Sequence, residues 1–458
     1  MFDEAEVNSE DSPDPSTKNR AVTQVKAHSR KKAGRKPFPK EIPREEFVHD
    51  LSDAEKICSC GQAMEKCGEE VKEKLDIIPA KLTVERHIRP KYCCKHCLNS
   101  AGAENAFRIA ENPPEILPKS IATAGLLAHV LTNKFCDHLP YHRQESIFER
   151  HGMDISRANM CNWQIQFYEQ YDRLEKFFCE DIFQSPVLLA DETPLQVMKE
   201  PGRSDTQKSY MFAFAGRYND REIRLFMYRP TRSAGFLSEY VQNYSGILQT
   251  DGFKSYDSLS AASNIIHAGC WAHARREFVK HQKHAKRDGQ FSGQILQLIQ
   301  KLYRFESQWG ERKTSLPDLK KLREDYSRPV ADEIFQLIEQ KQSSIPPGTD
   351  LGKALTYAVN QKEKLLLFLK FPQLTLDTNI VENAIRPFVI GRKNWMFSGS
   401  PRGADSSALI YSLIETAKAN GVEPYFYLRY LFEKLPFCQT DDEIRSLLPH
   451  RIAPAVVG

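Results

Sequence analysis

The sequence predicts an α/β protein of several domains in the α+β arrangement, and three observations carry that expectation. At 458 residues with 41% hydrophobic side chains, the chain is long enough for about three domains and can fill more than one core. Short apolar runs with strand character cluster between Val187 and Ala268. The flanking stretches, from Ser120 to Phe178 and from His281 to Phe371, instead show apolar residues at spacings of three and four, the mark of amphipathic helices.

The strand-rich part has a definite order. Val187 to Val197, Tyr210 to Gly216 and Ile223 to Tyr228 read as three strands, and Ala234 to Tyr244 as a helix. Ile247-Leu248 then leads through Gln249 and Thr250 to Asp251, where Gly252 provides a turn. A short helix near Tyr256, a strand from Ile265 to Ala268 and a helix opening at Cys270 follow. Three meandering strands, then alternating helix and strand, is the element order of a ribonuclease-H-like fold, in which the first and fourth strands lie side by side. The expectation is that Asp191 and Asp251 sit at the tips of those two strands and that Glu382 comes from a later helix.

Carboxylates so arranged suit a particular chemistry. Mg²⁺ prefers oxygen ligands and keeps several waters, so a few Asp and Glu side chains suffice while substrate phosphates complete its shell. Two such ions, or Mn²⁺ in their place, activate the attacking oxygen and stabilise the leaving oxygen of an in-line phosphoryl displacement. Taken singly, each of these acids is equally at home as an N-cap or turn residue.

Further motifs point toward metal and nucleic acid. Six of the eleven cysteines lie between Cys58 and Cys97. Cys94 and Cys97 form one thiolate knuckle, Cys60 with Gly61 the other, and the alternating Leu82, Val84, Arg86 and Ile88 between them suit a hairpin. Two knuckles joined by strands describe a structural Zn²⁺ ribbon, with Cys58, Cys67, His87 or His96 as the remaining ligand; buried cysteines in a degenerate finger are the other reading. The net charge of +4 says little, but from Lys18 to Arg44 there are ten Lys or Arg against one acid, Glu41. Gly34-Arg35-Lys36-Pro37 at its centre suits either an arm entering an A·T-rich minor groove or a solvated linker.

Between His142 and Tyr171 the sequence gives a helix ending near Gly152 and a second capped by Ser156. This is helix-turn-helix spacing, with Arg157, Asn159, Asn162 and Gln164 as candidates to touch DNA; a plain helical bundle is the alternative. His273 and Arg276 are read as lying beside the acidic site, with a structural histidine as the competing reading. Arg386, Arg392 and Lys393 follow Glu382 at +4, +10 and +11 as one basic face, although Pro387 should kink or end that helix. Trp395 and Phe397 either stack on a base or fill the core.

Five strings, "LLADETPLQV", "LQTDGFKSYD", "HAGCWAHARREF", "ENAIRPFVIGRKNWMFSGS" and "IYSLIETAKANGVEPYFYL", resemble the transposases of the IS66 family of bacterial insertion sequences, which are DDE recombinases. The resemblance runs from about Lys32 to about Leu431. It implies that Asp191, Asp251 and Glu382, separated by 60 and 131 residues, are the catalytic triad, and that a domain is inserted in the longer gap. It implies a zinc-finger-like module whose first knuckle usually reads CxxC; here Ile57 stands where its first cysteine would fall, with Cys58 one place on. It further implies DNA partners (element inverted repeats and target DNA), a homo-oligomer on DNA, and small accessory proteins encoded by the element. Family members begin with a leucine-rich, coiled-coil-prone region, whereas this chain starts near "MFDEAE", downstream of it.

The expected organisation is therefore a disordered arm, acidic then basic, over 1–46; a zinc-finger-like module over 47–110; and a helical DNA-binding region over 111–180. The ribonuclease-H-like core follows over 181–280, interrupted by a helical insertion over 281–370 and completed by the Glu382 helix over 371–400, with a helical region over 401–458. No run of about 18 apolar residues marks a membrane span, and the acidic start, without an apolar segment, argues against a secretory signal. The expected location is the bacterial cytoplasm, at the nucleoid.

Overall fold

The computed structural model describes residues 62, 82–93 and 107–456, apart from 234, 236–239, 242, 254–255, 257–263 and 285–288. The chain divides into two compact units, Met1–Lys81 and Leu82–Gly458. The second is a mixed α/β structure built on a five-stranded sheet. Its strands are β3 (Val187–Gln196), β4 (Lys208–Tyr218), β5 (Arg221–Arg229), β6 (Gly246–Gln249) and β7 (Ile265–Ala268), in spatial order β5-β4-β3-β6-β7. The first three form an antiparallel meander, while β6 and β7 add in parallel beside β3. A separate two-stranded ladder pairs β1 (Lys91–Cys93) with β2 (Phe107–Ile109).

Among the described residues, the alternation of Leu82, Val84 and Ile88 is not part of a hairpin. Residues 82–90 form no ladder, and Val84 is 89% exposed. Alternation fixes a strand only where one face has something to pack against, and Leu82, Val84 and Ile88 are all exposed.

The sheet is held by burial on both faces and by a guarded edge. Met211 to Ala215 of β4 are all buried, as a central strand covered on both sides requires; each large side chain so buried contributes on the order of 2 kcal/mol. β5 is an edge strand whose backbone groups need partners. Helix α12 (Pro401–Ala419) supplies them through side chains four residues apart: Ser412 Oγ accepts from Phe226 N at 2.8 Å, Thr416 Oγ1 from Arg224 N at 2.9 Å and, just past its end, Asn420 Oδ1 from Glu222 N at 3.1 Å. Asn420 Nδ2 and Thr416 Oγ1 also donate to the carbonyls of Glu222 and Arg224. Four helical residues rise about 6 Å, close to the span of two strand residues, so the spacings match.

The helices before the sheet are α1 (Ala124–Phe135), α2 (Tyr141–Arg150), α3 (Arg157–Tyr171) and α4 (Arg173–Ile182). Thr123 and Ser156 cap α1 and α3 by accepting from Leu126 N and Asn159 N. α5 (Trp271–His284) follows β7. The segment 289–370 is helical: α6 (Gly289–Glu311), α7 (Leu316–Leu322), a π-helical turn (Arg323–Ser327), α8 (Arg328–Gln342), α9 (Asp350–Leu365) and α10 (Leu367–Lys370). Together with α5 and the β6–β7 side of the sheet, these helices form a second hydrophobic core around Trp271, Phe335, Leu355 and Phe368. Arg323, 1% exposed, anchors it by pairing with Glu306 and donating to the carbonyls of Phe368, Phe371 and Leu374.

α11 (Asn379–Trp395) then packs along β3, and α13 (Pro424–Lys434) and α14 (Asp441–Ser446) complete the unit. α11 continues through Pro387 to Trp395, so the proline does not end the helix. A proline removes one helical donor, and the buried face of Val381, Ala384, Ile385, Phe388 and Gly391 holds the helix on either side of it.

Candidate active site

Strand register places the two aspartates. β3 and β6 pair with a constant offset of 60, Val187 opposite Ile247 and Leu189 opposite Gln249, so Asp191 and Asp251 lie equally far beyond the last pair. Asp191 is not at a strand tip, however. It lies inside β3, opposite Ala213 of β4, at the point where β6 has already stopped. The strand continues because β4 goes on pairing with it, and the β6 side of β3 is left open there.

Thr250, Asp251 and Phe253, just after β6, are joined by short hydrogen bonds. Asp251 Oδ1 accepts from Phe253 N at 3.0 Å, while Thr250 Oγ1 donates to Asp251 O at 2.8 Å and lies 2.8 Å from His267 Nε2. A hydroxyl carries one hydrogen, so His267 Nε2 is the donor in the second contact. A Cβ on Gly252 would come within 2.6 Å of the Tyr357 ring, so only glycine lets α9 lie over the turn beside Asp251.

Glu382 is brought to the same end of the sheet by the segment before α11. Gln249 Nε2 donates to Thr375 O at 2.8 Å and Trp271 N to Leu376 O at 2.8 Å, which ties the approach of α11 to the ends of β6 and β7. Glu382 lies in the first turn of α11, where a carboxylate also suits the helix dipole. Its Oε2 accepts from Arg276 Nη2 of α5. Its Oε1 is buried without a hydrogen bond, 3.8 Å from His273 Nδ1. Arg276 Nη1 donates to His273 Nε2 at 3.1 Å, which assigns the imidazole hydrogen to Nδ1, toward Glu382. Burial and the neighbouring Arg276 lower the His273 pKa, in keeping with a neutral ring.

Electrostatics link these groups. Burial, adjacent Glu192, and the charges of Glu382 and Asp251 push the Asp191 carboxyl up to about 7, against one opposing hydrogen bond from Glu192 N. Asp191 also contributes to raising Arg276. Among the described residues, no three His, Cys, Asp or Glu side chains converge as a ready-made metal cage. The site is nonetheless short of positive charge, with one raised acid and one unbonded carboxylate oxygen. A hard cation that takes one or two carboxylates and completes its shell with phosphate oxygens fits such a donor set.

Glu192 is a component that the sequence reading missed. Its side chain, 6% exposed, accepts from Tyr256 OH at 2.6 Å and Arg232 Nη1 at 3.2 Å. Arg232 stacks 3.5 Å from the centre of the Phe253 ring. The network ties Tyr256 and Phe253 to β3 one residue past Asp191. Its only local trace is the Asp-Glu dipeptide; both partners come from far along the chain.

The remaining candidates fall at different places. Arg386 and Lys393 are exposed on α11. Arg392 is half-buried and donates to Thr193 Oγ1 of β3 at 3.1 Å, with burial lowering its pKa. Arg157, Asn159 and Asn162 are exposed on the first turns of α3. Gln164 is not available to DNA: it is buried, accepting from Tyr141 OH at 2.6 Å and Lys134 Nζ at 2.8 Å and donating to Ser406 Oγ at 2.7 Å. Trp395 turns inward against Phe388, whereas Phe397 is 47% exposed. Cys270 is buried against Thr378. Arg35, Lys36, Cys58, Cys60, Cys94 and Cys97 lie outside the described residues.

Comparison with known proteins gives a consistent match. Residues 119–406 match the sequence profile described as the transposase IS66 family, 412–450 that of the IS66 C-terminal element, and 55–97 that of the zinc-finger binding domain of transposase IS66. Two Sinorhizobium fredii relatives, both named as uncharacterized proteins, align along most of the chain. One, y4qI, is 29% identical over 95% of this chain and 82% of its own length; the other, y4jD, is 30% identical over 90% and 81%.

Proposed function

The chain belongs to the IS66 transposase family, and from that membership we propose that it is a DDE transposase, cutting DNA at insertion-sequence ends and joining the freed 3′-OH to target DNA. The observation that carries the reading is the shared register of Asp191 and Asp251 on neighbouring parallel strands, with Glu382 close enough to shift the same acid. The strand order β5-β4-β3-β6-β7 supports taking 181–280 and 371–400 as a ribonuclease-H-like core, with 281–370 as its helical insertion and 401–458 as a C-terminal helical region. Asp191, Asp251 and Glu382 are proposed to hold two Mg²⁺, or Mn²⁺. When bound, these ions supply activation of the attacking oxygen and stabilisation of the leaving one.

The chain's own groups do the rest. Arg276 holds the Glu382 carboxylate by one oxygen, with His273 beside the other, and the Glu192–Tyr256–Arg232 network ties Tyr256, five residues past Asp251, to β3. Because in-line geometry accepts either water or a DNA hydroxyl as nucleophile, one site serves cutting and joining. His273, Arg276, Arg386, Arg392 and Lys393 are assigned to the DNA path around the cut. Arg157 and Asn162 of the 111–180 region, and Arg35 and Lys36 of the 1–46 arm, are assigned to DNA farther away. We further propose that the active form is a homo-oligomer on DNA in the bacterial cytoplasm. Among the described residues, no helix is long and apolar enough to cross a membrane.

The test is incubation with Mg²⁺ and DNA carrying the native element ends, with element-encoded accessory proteins added separately. Nicking at the end followed by joining to a second duplex is expected. Cutting without joining under every condition would make the protein a nuclease, and binding with neither activity would make it an inert relic of a mobile element.

The zinc-finger match supports a second proposal, that the 47–110 module holds about one structural Zn²⁺ through Cys58, Cys60, Cys94 and Cys97. Metal analysis should find about one equivalent in the wild type and a near-complete loss in a Cys94→Ser/Cys97→Ser variant. Unchanged zinc content would remove these residues from the site.

A further inference from the structure

The exposed face of α11 ends in an unusual tip. Asn379, Asn383, Arg386, Ile390 and Lys393 are exposed and recur at helical spacing along one stripe that starts beside Glu382 and contains no other acid. Beyond the stripe come Met396, 69% exposed, and Phe397, 47% exposed, two large apolar side chains turned to solvent. Met396 has φ +65° and ψ −49°, a backbone conformation that a residue other than glycine rarely adopts and that costs energy to hold.

The tip is also tied down by hydrogen bonds and packing. Trp395 is drawn inward onto Phe388, and a Cβ on Gly391 would meet Tyr411 Oη at 2.8 Å, so glycine permits that close approach. Met396 N donates to Arg392 O at 2.7 Å, Ser398 N to Gln196 O at 3.0 Å, and Met198 N to Ser398 O at 2.9 Å. The turn is thereby fastened to the far end of β3, the strand that carries Asp191. Two apolar residues held outward in a strained, well-anchored turn, at the end of a cationic and amide-bearing ridge, match the wedges by which proteins unstack a base step while basic side chains follow the phosphates.

We propose that Met396 and Phe397 form an apolar wedge that inserts into duplex DNA at a fixed distance from the cut, with Arg386 and Lys393 on the intervening phosphates. The inference rests on the transposase reading and adds a spacing to it. Met396 lies fourteen positions after Glu382 at the end of α11, a rise of about 21 Å, equivalent to about six base pairs with the helix laid along the duplex axis. That distance removes Phe397 from the scissile step itself.

The experiment uses the full chain and a duplex with the element's own terminal repeat, carrying 2-aminopurine at successive positions from the cut. Wild-type protein is expected to raise the fluorescence at a step about six base pairs away. The Met396→Ser/Phe397→Ser variant should lose that rise and bind about tenfold more weakly, with its thermal melting unchanged. Phe397→Trp should retain the signal. Arg386→Gln and Lys393→Gln should each reduce the salt slope of binding by about one. The inference is overturned if wild-type binding raises no signal near that step, or if the double variant matches the wild type. It is equally overturned if the double variant changes the oligomeric state while keeping DNA affinity, since a second copy of the chain would then cover the tip. Mg²⁺-dependent nicking, read on the same duplex, separates the two ideas: nicking without a wedge signal removes only this inference, and a wedge signal without nicking removes only the catalytic reading.

Discussion

Asp191→Asn, Asp251→Asn and Glu382→Gln are each expected to abolish DNA cutting and joining while leaving DNA binding in place. Each substitution removes a negative charge with almost no change in volume, so the fold has little reason to respond. Losing one carboxylate from a site that must stabilise developing charge is expected to cost about 4 kcal/mol at the transition state, or about a thousandfold in rate. Asp191→Asn also removes an acid that its neighbours push up to about 7, so this variant should melt no earlier than the wild type. Gel-shift binding, single-turnover cutting and thermal melting on the same preparations check the expectation. A residue whose substitution leaves joining at the wild-type rate does not belong to the site.

A second large effect is expected far from the acids. Asp181, at the end of α4, is fully buried and accepts from His450 Nε2 at 2.8 Å and from Arg451 Nε at 2.7 Å and Nη2 at 2.6 Å. These bonds fasten the C-terminal segment to the helix entering β3. Asp181→Ala leaves the His450 and Arg451 donors facing a cavity, and breaking one side of a buried ionic cluster typically costs about 3–5 kcal/mol. The same cluster sets an acid sensitivity. Burial lowers the His450 pKa from its ordinary 6.5, so the unfolded chain takes up the proton first and stability falls as pH drops below that value. Burial alone would raise Asp181, but its bonds to His450 and Arg451 outweigh burial and hold it below its ordinary 3.8. Its contribution is therefore present above that pH and lost as pH falls through the lowered value. Both groups lose stability toward acid. Melting temperature below pH 3.8 should fall more steeply in the wild type than in Asp181→Ala, whereas between 6.5 and 3.8 the variant should fall at least as steeply, because His450 has lost the partner that raised its pKa; parallel curves over both ranges would show that the cluster does not set the slope.

Much of the sheet was legible because its signals are local. The apolar runs within Val187 to Val197, Tyr210 to Gly216 and Ile223 to Tyr228 and the short runs at Ile247 and Ile265 read directly as strands, each falling on an observed strand, and their order with the helices indicated that the first and fourth would be neighbours. The position of Asp191 within β3 was not legible: the apolar run stops there, but β4 pairing carries the strand to Gln196. Long-range partners escaped altogether. Gln164 looked like a surface reader of DNA because its acceptors and donors, Tyr141, Lys134 and Ser406, meet only in the folded chain. The serine, threonine and asparagine of α12 that guard β5 look like ordinary polar helix positions for the same reason. Glu192 was overshadowed by Asp191, since only the fold brings Arg232 and Tyr256 to it.

That Asp191, Asp251 and Glu382 share one metal site is the central claim, and it can be read without relying on activity. With Fe²⁺ in place of Mg²⁺, ascorbate and peroxide generate hydroxyl radicals at the bound ion, and these cut the nearby polypeptide backbone. The account predicts cuts close to all three residues together, suppressed by excess Mg²⁺ and weakened at all three places by Asp191→Asn. Cuts confined to one of the three segments, or a pattern that Asp191→Asn leaves unchanged, would contradict it.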